Sequence, residues 1–299
     1  MENRIEESVL VQRFMETCNA LGCPVEILGS EASAYGVSLD VKPVAGVRVI
    51  DFLKIRDDIG LRLGVYYIQI IPPGNGSWKL TVNILMEKPA GKSIRECAAA
   101  ADKTAGGSSL CLGHGITGRT VTLDLDKHPG VLVAGVVRND VSDFIRTMEA
   151  EIAASTALTG IEVIHAEGEM AYGVLTDFCH RMAKGDSIRP SVVFIDRYED
   201  LIRAKGYEAE DLICRLLSMR KTDALHFVIG TSCPTVDVVS GMIANSVSAK
   251  IAFRVDDIVQ SRTVIRTAGA ERLAGAGEGL LVTTDMKNPE WFAVPSVSL

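Results

Sequence analysis

The sequence is poor in aromatic residues, in histidine and in basic charge, and each shortage excludes a class of protein. Aromatic side chains make up 5% of the 299 residues, and the five histidines show no metal-ligand spacing. No apolar run approaches the roughly 20 residues that a membrane-spanning helix needs. The acidic, polar N-terminus does not resemble a signal peptide. We therefore expect a soluble, cytoplasmic protein with no membrane segment.

Cysteine is present but does not form a recognisable framework. The seven cysteines are an odd-numbered set without a CxxC motif. A structural zinc site needs two pairs of ligands, and Cys111 with His114 supplies only one. We interpret the cysteines as reduced thiols of the core and expect neither zinc nor a disulfide framework.

The charge balance disfavours an obvious nucleic-acid-binding surface. There are 31 basic and 38 acidic residues, which give a formal net charge of −7. Neither half of the chain carries the basic stripe that usually marks such a surface. Nucleic-acid binding would therefore need basic residues that only assembly brings together.

The pattern of the chain changes near residue 109. Before that point the periodicity predicts helices over 5–21 and 47–63 and alternating strands over 35–42, 65–71 and 78–85. A turn signal at 72–77 predicts a hairpin, and a Gly/Ser/Ala-rich stretch at 98–109 is the best linker candidate. We predict a small α+β domain over 1–109 and a second domain over 110–299.

Residues 110–299 alternate short apolar runs with amphipathic segments of helical length. The apolar runs lie at 131–134, 161–164, 192–195, 227–229, 251–253 and 280–282. The predicted helices include 142–158, 169–183 and 198–221. This alternation is typical of a mostly parallel sheet with helices on both faces. Ligands of such sheets bind at the carboxyl ends of the strands, so the candidate site follows the apolar runs.

One glycine motif in this domain is misleading. Residues 113–118, GHGITG, match the dinucleotide-binding pattern G-x-G-x-x-G. That pattern needs a helix after it, because the helix N-terminus receives the pyrophosphate. The alternating residues 119–126 predict a strand instead. We interpret the motif as a glycine-rich turn and reject a dinucleotide site.

A second glycine motif is incomplete. A buried strand ends in Gly135 and leads through a loop into an amphipathic helix, which is the setting of the phosphate-binding loop G-x-x-x-x-G-K-[ST]. Gly135 and Ser142 match its first and last positions, whereas Asp140 and Val141 stand at the second glycine and the lysine. Ser142 is also a candidate helix N-cap. Arg138 either contacts an anion or is simply exposed or ion-paired.

Three segments of this half resemble the motor domain of the FtsK/SpoIIIE-family DNA translocases. They are 110–135 (LCLGHGITGRTVTLDLDKHPGVLVAG), 190–201 (PSVVFIDRYEDL) and 234–282, which contains SRTVIRTAGAERLAGAGEGLLV. Residues 1–109 resemble the family's preceding segments more weakly. The resemblance implies an α/β, RecA-like P-loop NTPase fold with a mostly parallel sheet, preceded by a small α+β domain.

The same resemblance marks positions at which the family's nucleotide chemistry is lost. The family loop T-T-G-S-G-K-S corresponds to VVRNDVS, which makes a degenerate Walker A motif of Gly135, Arg138, Asn139, Asp140, Val141 and Ser142. Asp196 of the Walker B segment is a doubtful metal ligand, since it can equally satisfy backbone donors. The family's catalytic glutamate is replaced by Arg197, and its sensor glutamine by Ser232. Each such loss typically removes several kcal/mol of transition-state stabilisation.

These losses lead us to expect an inactive pseudo-ATPase that forms or joins a ring. No cofactor is expected, and ATP and Mg²⁺ would bind only if the degenerate site still functions. The expected partners are further copies of the chain in a ring, an active paralogue, and double-stranded DNA bound without sequence preference. The resemblance implies that the ring is a hexamer. Asp256, Asp257, Ser261 and Arg262 are assigned to helix capping or subunit contact.

Two alternatives stay open at this point. One is a protein-interaction scaffold without DNA contact, like a degenerate type VII secretion ATPase domain. The other is an active ATP-dependent DNA translocase that uses unconventional residues.

Overall fold

A computed structural model describes most of the chain. The described residues are 2–33, 35–71, 79–87, 96, 99, 109–116, 118–155, 158–219, 225–275, 277–286 and 288–295, with backbone alone for 2–6 and 139. They divide between two compact units, one formed by 1–90 with 114–119 and the other by 91–113 with 120–299. Among the described helices, none has the length and apolarity needed to cross a membrane.

The first unit is a four-stranded antiparallel sheet with helices packed against it. Its elements are α1 (Glu2–Ala20), β1 (Val25–Ala32), β2 (Gly36–Pro43), α2 (Val49–Lys54), α3 (Arg56–Leu63), β3 (Tyr67–Ile71) and β4 (Leu80–Leu85), with sheet order β1-β2-β4-β3. Its core includes Phe14, Leu39, Phe52 and Ile59, which are fully buried. Alternate strand residues point inward, as the period of two requires.

The predicted end of this first domain stays a prediction. The expected linker at 98–109 falls outside the described residues, apart from 99 and 109, and the expected hairpin turn at 72–77 also falls outside them.

The second unit contains a larger, mixed sheet. Its strands are β5 (Ser109–Gly115), β6 (Thr120–Asp124), β7 (Gly130–Ala134), β8 (Glu162–Glu167), β9 (Ser191–Asp196), β10 (Leu225–Thr231), β11 (Ala249–Ala252), β12 (Glu278–Thr283) and β13 (Glu290–Ala293). The sheet order is β6-β5-β13-β12-β11-β7-β10-β9-β8. Strands β7 to β11 pair in parallel, whereas β11–β12 and β12–β13 are antiparallel. The predicted mostly parallel sheet is thus confirmed.

The helices of this unit are α4 (Arg138–Ala154), α5 (Met170–Lys184), α6 (Tyr198–Lys205), α7 (Tyr207–Ser218), α8 (Gly241–Ser246) and α9 (Ile258–Ile265), followed by a 3-10 turn at Ala270–Arg272. Helix α4 packs its apolar side on the sheet, where Phe144 meets Phe253 with ring centroids 5.1 Å apart. Asp257 caps α9 as expected, since its carboxylate accepts hydrogen bonds from Val259 N and Gln260 N, each at 2.8 Å.

Two helix boundaries differ from the sequence-based prediction. Helix α4 begins at Arg138, four residues before the expected start, because the loop has no glycine after Gly135 to interrupt helical backbone. The helix predicted over 198–221 is two helices, which Gly206 separates with φ 55° and ψ −134°. Gly113 to Gly115 of the GHGITG motif end β5, and β6 begins at Thr120, so a strand and not a helix follows the motif, as predicted. Gly115 N donates to Arg119 O at 2.8 Å.

Candidate functional site

The strand order brings the motif positions to one edge of the sheet. Strand β10 lies between β7, which leads into the loop of the predicted Walker A motif, and β9, which ends in Asp196. Strand β11 flanks β7 on its other side. The carboxyl ends of these parallel strands therefore form one edge, which is where such sheets bind ligands.

The loop at this edge is short and already hydrogen-bonded within the protein. Only residues 135–137 separate β7 from α4. Gly135 N donates to Thr231 O at 3.2 Å, and Val136 N donates to Arg254 O at 3.0 Å. A Cβ atom at Gly135 would lie 2.8 Å from Cβ of Phe253, so the close approach of the loop to β11 requires glycine there. The N–H groups of Gly135 and Val136 are therefore bonded to carbonyl groups of the protein.

Val141, at the position of the phosphate-binding lysine, belongs to the hydrophobic core. Its exposure is 1%. Its Cγ1 atom lies 3.1 Å from the place where a Cβ atom of Gly230 would be, and Cδ1 of Ile145 lies 2.4 Å from that place. Gly230 on β10 thus lets α4 approach the sheet closely. A side chain in this position points into packed aliphatic groups and supplies no ammonium group to the edge.

The other Walker A positions lie in the first turns of α4. Arg138 is exposed, which is consistent with the interpretation of it as a simple surface residue. Asp140 brings a carboxylate to the helix N-terminus, where the helix dipole favours it. Asn139 is described by its backbone alone. Ser142 is not the N-cap that the sequence suggested, because Val137 holds that position without a side-chain cap bond.

Asp196 and Arg197 close the end of β9. Asp196 is 8% exposed, and its Oδ1 atom accepts the N–H of Arg197 at 2.8 Å. Arg197 adopts a left-handed conformation, with φ 55° and ψ 49°, which costs a non-glycine residue about 1–2 kcal/mol. Its guanidinium donates to Glu167 Oε1 at 3.0 Å and also pairs with Asp200. A fixed cation thus stands where the family's water-activating carboxylate is expected.

The carboxylates around Arg197 also fix its charge. The hydrogen bond that Arg197 donates to Glu167, and then the charge of Asp200, hold the pKa of Arg197 above its ordinary value. The guanidinium therefore remains protonated and cannot accept a proton from water.

Glu199 is a buried carboxylate that the sequence analysis did not single out. It is 5% exposed and accepts hydrogen bonds from Thr231 Oγ1 and Ser232 Oγ, both at 2.7 Å, and from Ser232 N at 3.3 Å. The sensor-position residue Ser232 is thereby fixed to α6. An acidic residue in the first turn of the helix after Asp196 was the available signal, but first-turn acids are common for dipole reasons alone.

The residues at this edge do not fit ATP and Mg²⁺ in the manner of a P-loop. The N–H groups of Gly135 and Val136 are bonded to Thr231 and Arg254, and the lysine position is the buried Val141. We therefore derive no hydrolytic step at this edge.

The parallel sheet with its strand–loop–helix edge defines the fold class as α/β, of the RecA-like P-loop ATPase type. Solved structures share this fold. The pCW3 conjugation coupling protein TcpA, solved as a monomer with ATPγS, superimposes with a TM-score of 0.59 at 14% identity, covering 96% of this chain and 94% of that chain. The cytoplasmic domain of the type VII secretion ATPase EccC of Thermomonospora curvata gives a TM-score of 0.57 at 13% identity, covering 70% of this chain and 32% of that chain.

Sequence comparison confirms the resemblance to the FtsK DNA translocases. The DNA translocase FtsK of Listeria monocytogenes serovar 1/2a is 25% identical over 335 aligned residues, which cover 94% of this chain and 44% of that protein. The DNA translocase FtsK of Staphylococcus aureus strain Mu50 is 26% identical over 295 residues, covering 81% and 37%. The chain therefore spans less than half the length of these relatives. No protein-family model matches it.

Proposed function

We propose that this protein is a catalytically inactive relative of the FtsK DNA translocases, which forms or joins a ring and holds DNA or regulates an active motor. The observation that carries the proposal is the burial of Val141 at the lysine position, with 1% exposure. A lysine in a P-loop neutralises the β and γ phosphates, and an aliphatic core residue cannot do so.

The other motif positions support the same proposal. Arg197 presents a positive charge, paired with Glu167 and Asp200, where a base or water-orienting carboxylate would act. Ser232 is held by Glu199, so its hydroxyl is committed within the protein. These substitutions affect phosphate binding, water activation and sensing separately, and restoring one alone would leave the others lost.

The proposal is tested by measuring ATP turnover of the purified chain with Mg²⁺. We expect no rate above the background of a mock purification. Turnover at about 1 per second, an ordinary enzyme rate, would overturn the proposal if it disappears in the Asp196→Asn variant. Activity that survives in Asp196→Asn would instead identify a contaminating ATPase.

Assembly and DNA binding form the second part of the proposal. The chain has a net charge of −7, so affinity for DNA must come from a few Lys and Arg side chains brought together by assembly. Such contacts release counterions, and log affinity then falls linearly with log salt. We expect light scattering at about 100 μM to show an oligomer, and a fluorescent duplex to bind at about 50 mM salt and to dissociate at about 200 mM salt.

A scaffold without DNA contact is the second candidate function, and the acidic net charge favours it. The two candidates differ in one measurement. An assembled protein that does not bind the duplex at the lower salt concentration would support the scaffold. Binding that persists at the higher salt and discriminates between sequences would contradict both candidates.

A further inference from the structure

An open groove lies between α8 and α9, among residues of the second unit that the proposed ATPase chemistry does not use. Its volume is about 450 Å³, and it is lined by Val236, Val239, Ser240, Gly241, Ala244, Val259, Arg262, Thr263 and Arg266. Val239 and Ala244 form a buried floor, each with 2% exposure. Val236 and Val259 are 63% and 62% exposed, so aliphatic surface also faces solvent. The groove therefore combines a buried apolar floor with two exposed valines on its sides.

The rim of the groove is cationic. Arg262 and Arg266 are exposed and belong to the lining, which includes no carboxylate. Lys250, on β11, is close enough to Arg266 for the two charges to repel each other. Within the described part of the chain, none of these three cations forms an ion pair, and Arg266 donates only to the amide oxygen of Asn245, at 2.7 Å. The lining itself thus carries two positive charges, on a chain whose net charge is −7.

The combination of groups selects one kind of occupant. A nucleic acid would satisfy the cations through its phosphates, but phosphates gain nothing from Val236 and Val259. A protein segment with an aliphatic side chain and neighbouring carboxylates satisfies both, because the aliphatic group covers the valines while the carboxylates pair with the arginines. Grooves between helices commonly receive such a segment as an amphipathic helix.

We propose that the groove between α8 and α9 is a docking site for an acidic protein segment anchored by an aliphatic side chain. This site goes beyond the proposed loss of ATPase chemistry, because none of its residues belongs to the Walker A, Walker B or sensor positions, although Arg262 is also a candidate for subunit contact. Docking would therefore not depend on the presence or absence of nucleotide binding.

The test uses fluorescence anisotropy with three labelled peptides of about 14 residues. The first carries two leucines four residues apart, which share one helix face, with flanking glutamates. The second has lysine in place of each glutamate, and the third has alanine in place of each leucine. We expect the first peptide to bind with a dissociation constant below about 100 μM and the other two at least about tenfold more weakly.

Groove variants locate the binding. Gly241→Leu fills the groove at a position where a Cβ atom meets nothing within 4 Å, and Gly173→Leu is its matched control, because Gly173 on α5 is equally open. Arg262→Glu reverses a rim charge, and Arg146→Glu does the same on α4, where the Arg146 side chain is 71% exposed. We expect both groove variants to raise the dissociation constant of the first peptide at least about tenfold. Both control variants should leave that constant unchanged.

Three results would overturn the proposal. The first is no binding of the glutamate–leucine peptide at about 1 mM, and the second is binding that the groove variants do not change. The third is a duplex DNA that displaces the peptide and whose own binding is abolished by Arg262→Glu but not by Arg146→Glu. The site would then bind nucleic acid. None of these results bears on ATP turnover, so this site and the proposed function fail separately.

Discussion

Two regions of the second unit differ in whether their polar groups are bonded to other groups of the protein. At the edge formed by β7, β9 and β10, Gly135 and Val136 donate to neighbouring strands, Arg197 pairs with two carboxylates, and Ser232 is bound to Glu199. In the groove between α8 and α9, the cations lack carboxylate partners among the described residues and two valines are exposed. At the edge that resembles a catalytic site, these polar groups are bonded to other groups of the protein, whereas the two arginines of the groove lack carboxylate partners among the described residues.

The largest expected effect comes from restoring the missing lysine. Val141→Lys places a charge among aliphatic core residues, and we expect it to lower the free energy of unfolding by about 3 kcal/mol. Because a side chain at position 141 points into the packed core, the variant should not create ATP binding. Urea unfolding followed by circular dichroism measures the loss.

Val137→Lys is the matched control for this variant. Val137 lies in the same loop but is 43% exposed, so a lysine there should change stability by less than about 0.5 kcal/mol. A Val141→Lys protein as stable as Val137→Lys would show that the lysine position is not a core position, and the contrast between the two regions would fail.

An intermediate effect is expected at two arginines with left-handed backbone, one in each region. Arg197 has φ 55°, and Arg266 at the end of α9 has φ 63°. At both positions glycine should be more stable than alanine by about 1 kcal/mol, because alanine keeps the strain. Relative to the natural residue, Arg266→Gly should gain about 0.5 kcal/mol, whereas Arg197→Gly should be near neutral because it also loses two ion pairs.

Thermal unfolding of the four variants measures these differences. If Arg197→Gly gains as much stability as Arg266→Gly, the ion pairs of Arg197 contribute nothing and the edge is not held closed by them. Equal stability of alanine and glycine at both positions would contradict the left-handed backbone itself.

The smallest effect concerns Lys250 and its pH dependence. Burial, and then the charge of Arg266, hold the pKa of Lys250 below its ordinary value. Removing this charge in Lys250→Met should stabilise the chain at pH 7 by about 0.5 kcal/mol, a modest effect because the side chain is partly solvated.

The sign of the pH dependence follows from the lowered pKa. Between the folded and unfolded pKa values the unfolded chain binds more protons, so the natural protein gains stability as pH rises toward 10. Lys250→Met lacks that gain, and its advantage should shrink over the same interval, as urea titrations at pH 7 and pH 10 would show. An advantage that grows with pH would contradict a cationic, crowded groove rim. Lys184→Met, which changes an exposed lysine on α5, controls for the loss of a surface charge.

The sequence predicts features that depend on neighbours along the chain. The short apolar runs predict the parallel strands, the alternation after residue 118 excludes a dinucleotide site, and Asp257 is the helix cap that its position suggests. Each of these signals lies within a few residues of the structure that it specifies, so no long-range information is needed.

Features that depend on distant residues are not available from the sequence. The bonds from Gly135 to Thr231 and from Val136 to Arg254 join residues about a hundred positions apart, and only the strand order brings them together. Glu199 resembles an ordinary first-turn acid until the end of β10 is placed beside it. The burial of Val141 likewise depends on Gly230 of a different strand.

The most direct test of the account is titration calorimetry of ATP with Mg²⁺ into the purified chain. Because the lysine position is the buried Val141 and Asp140 brings a carboxylate to the N-terminus of α4, we predict no saturable heat up to about 1 mM nucleotide. Saturable binding with a dissociation constant near 10 μM, weakened at least tenfold by Asp196→Asn or by Ser142→Ala, would show that this edge opens to hold nucleotide and would contradict the account.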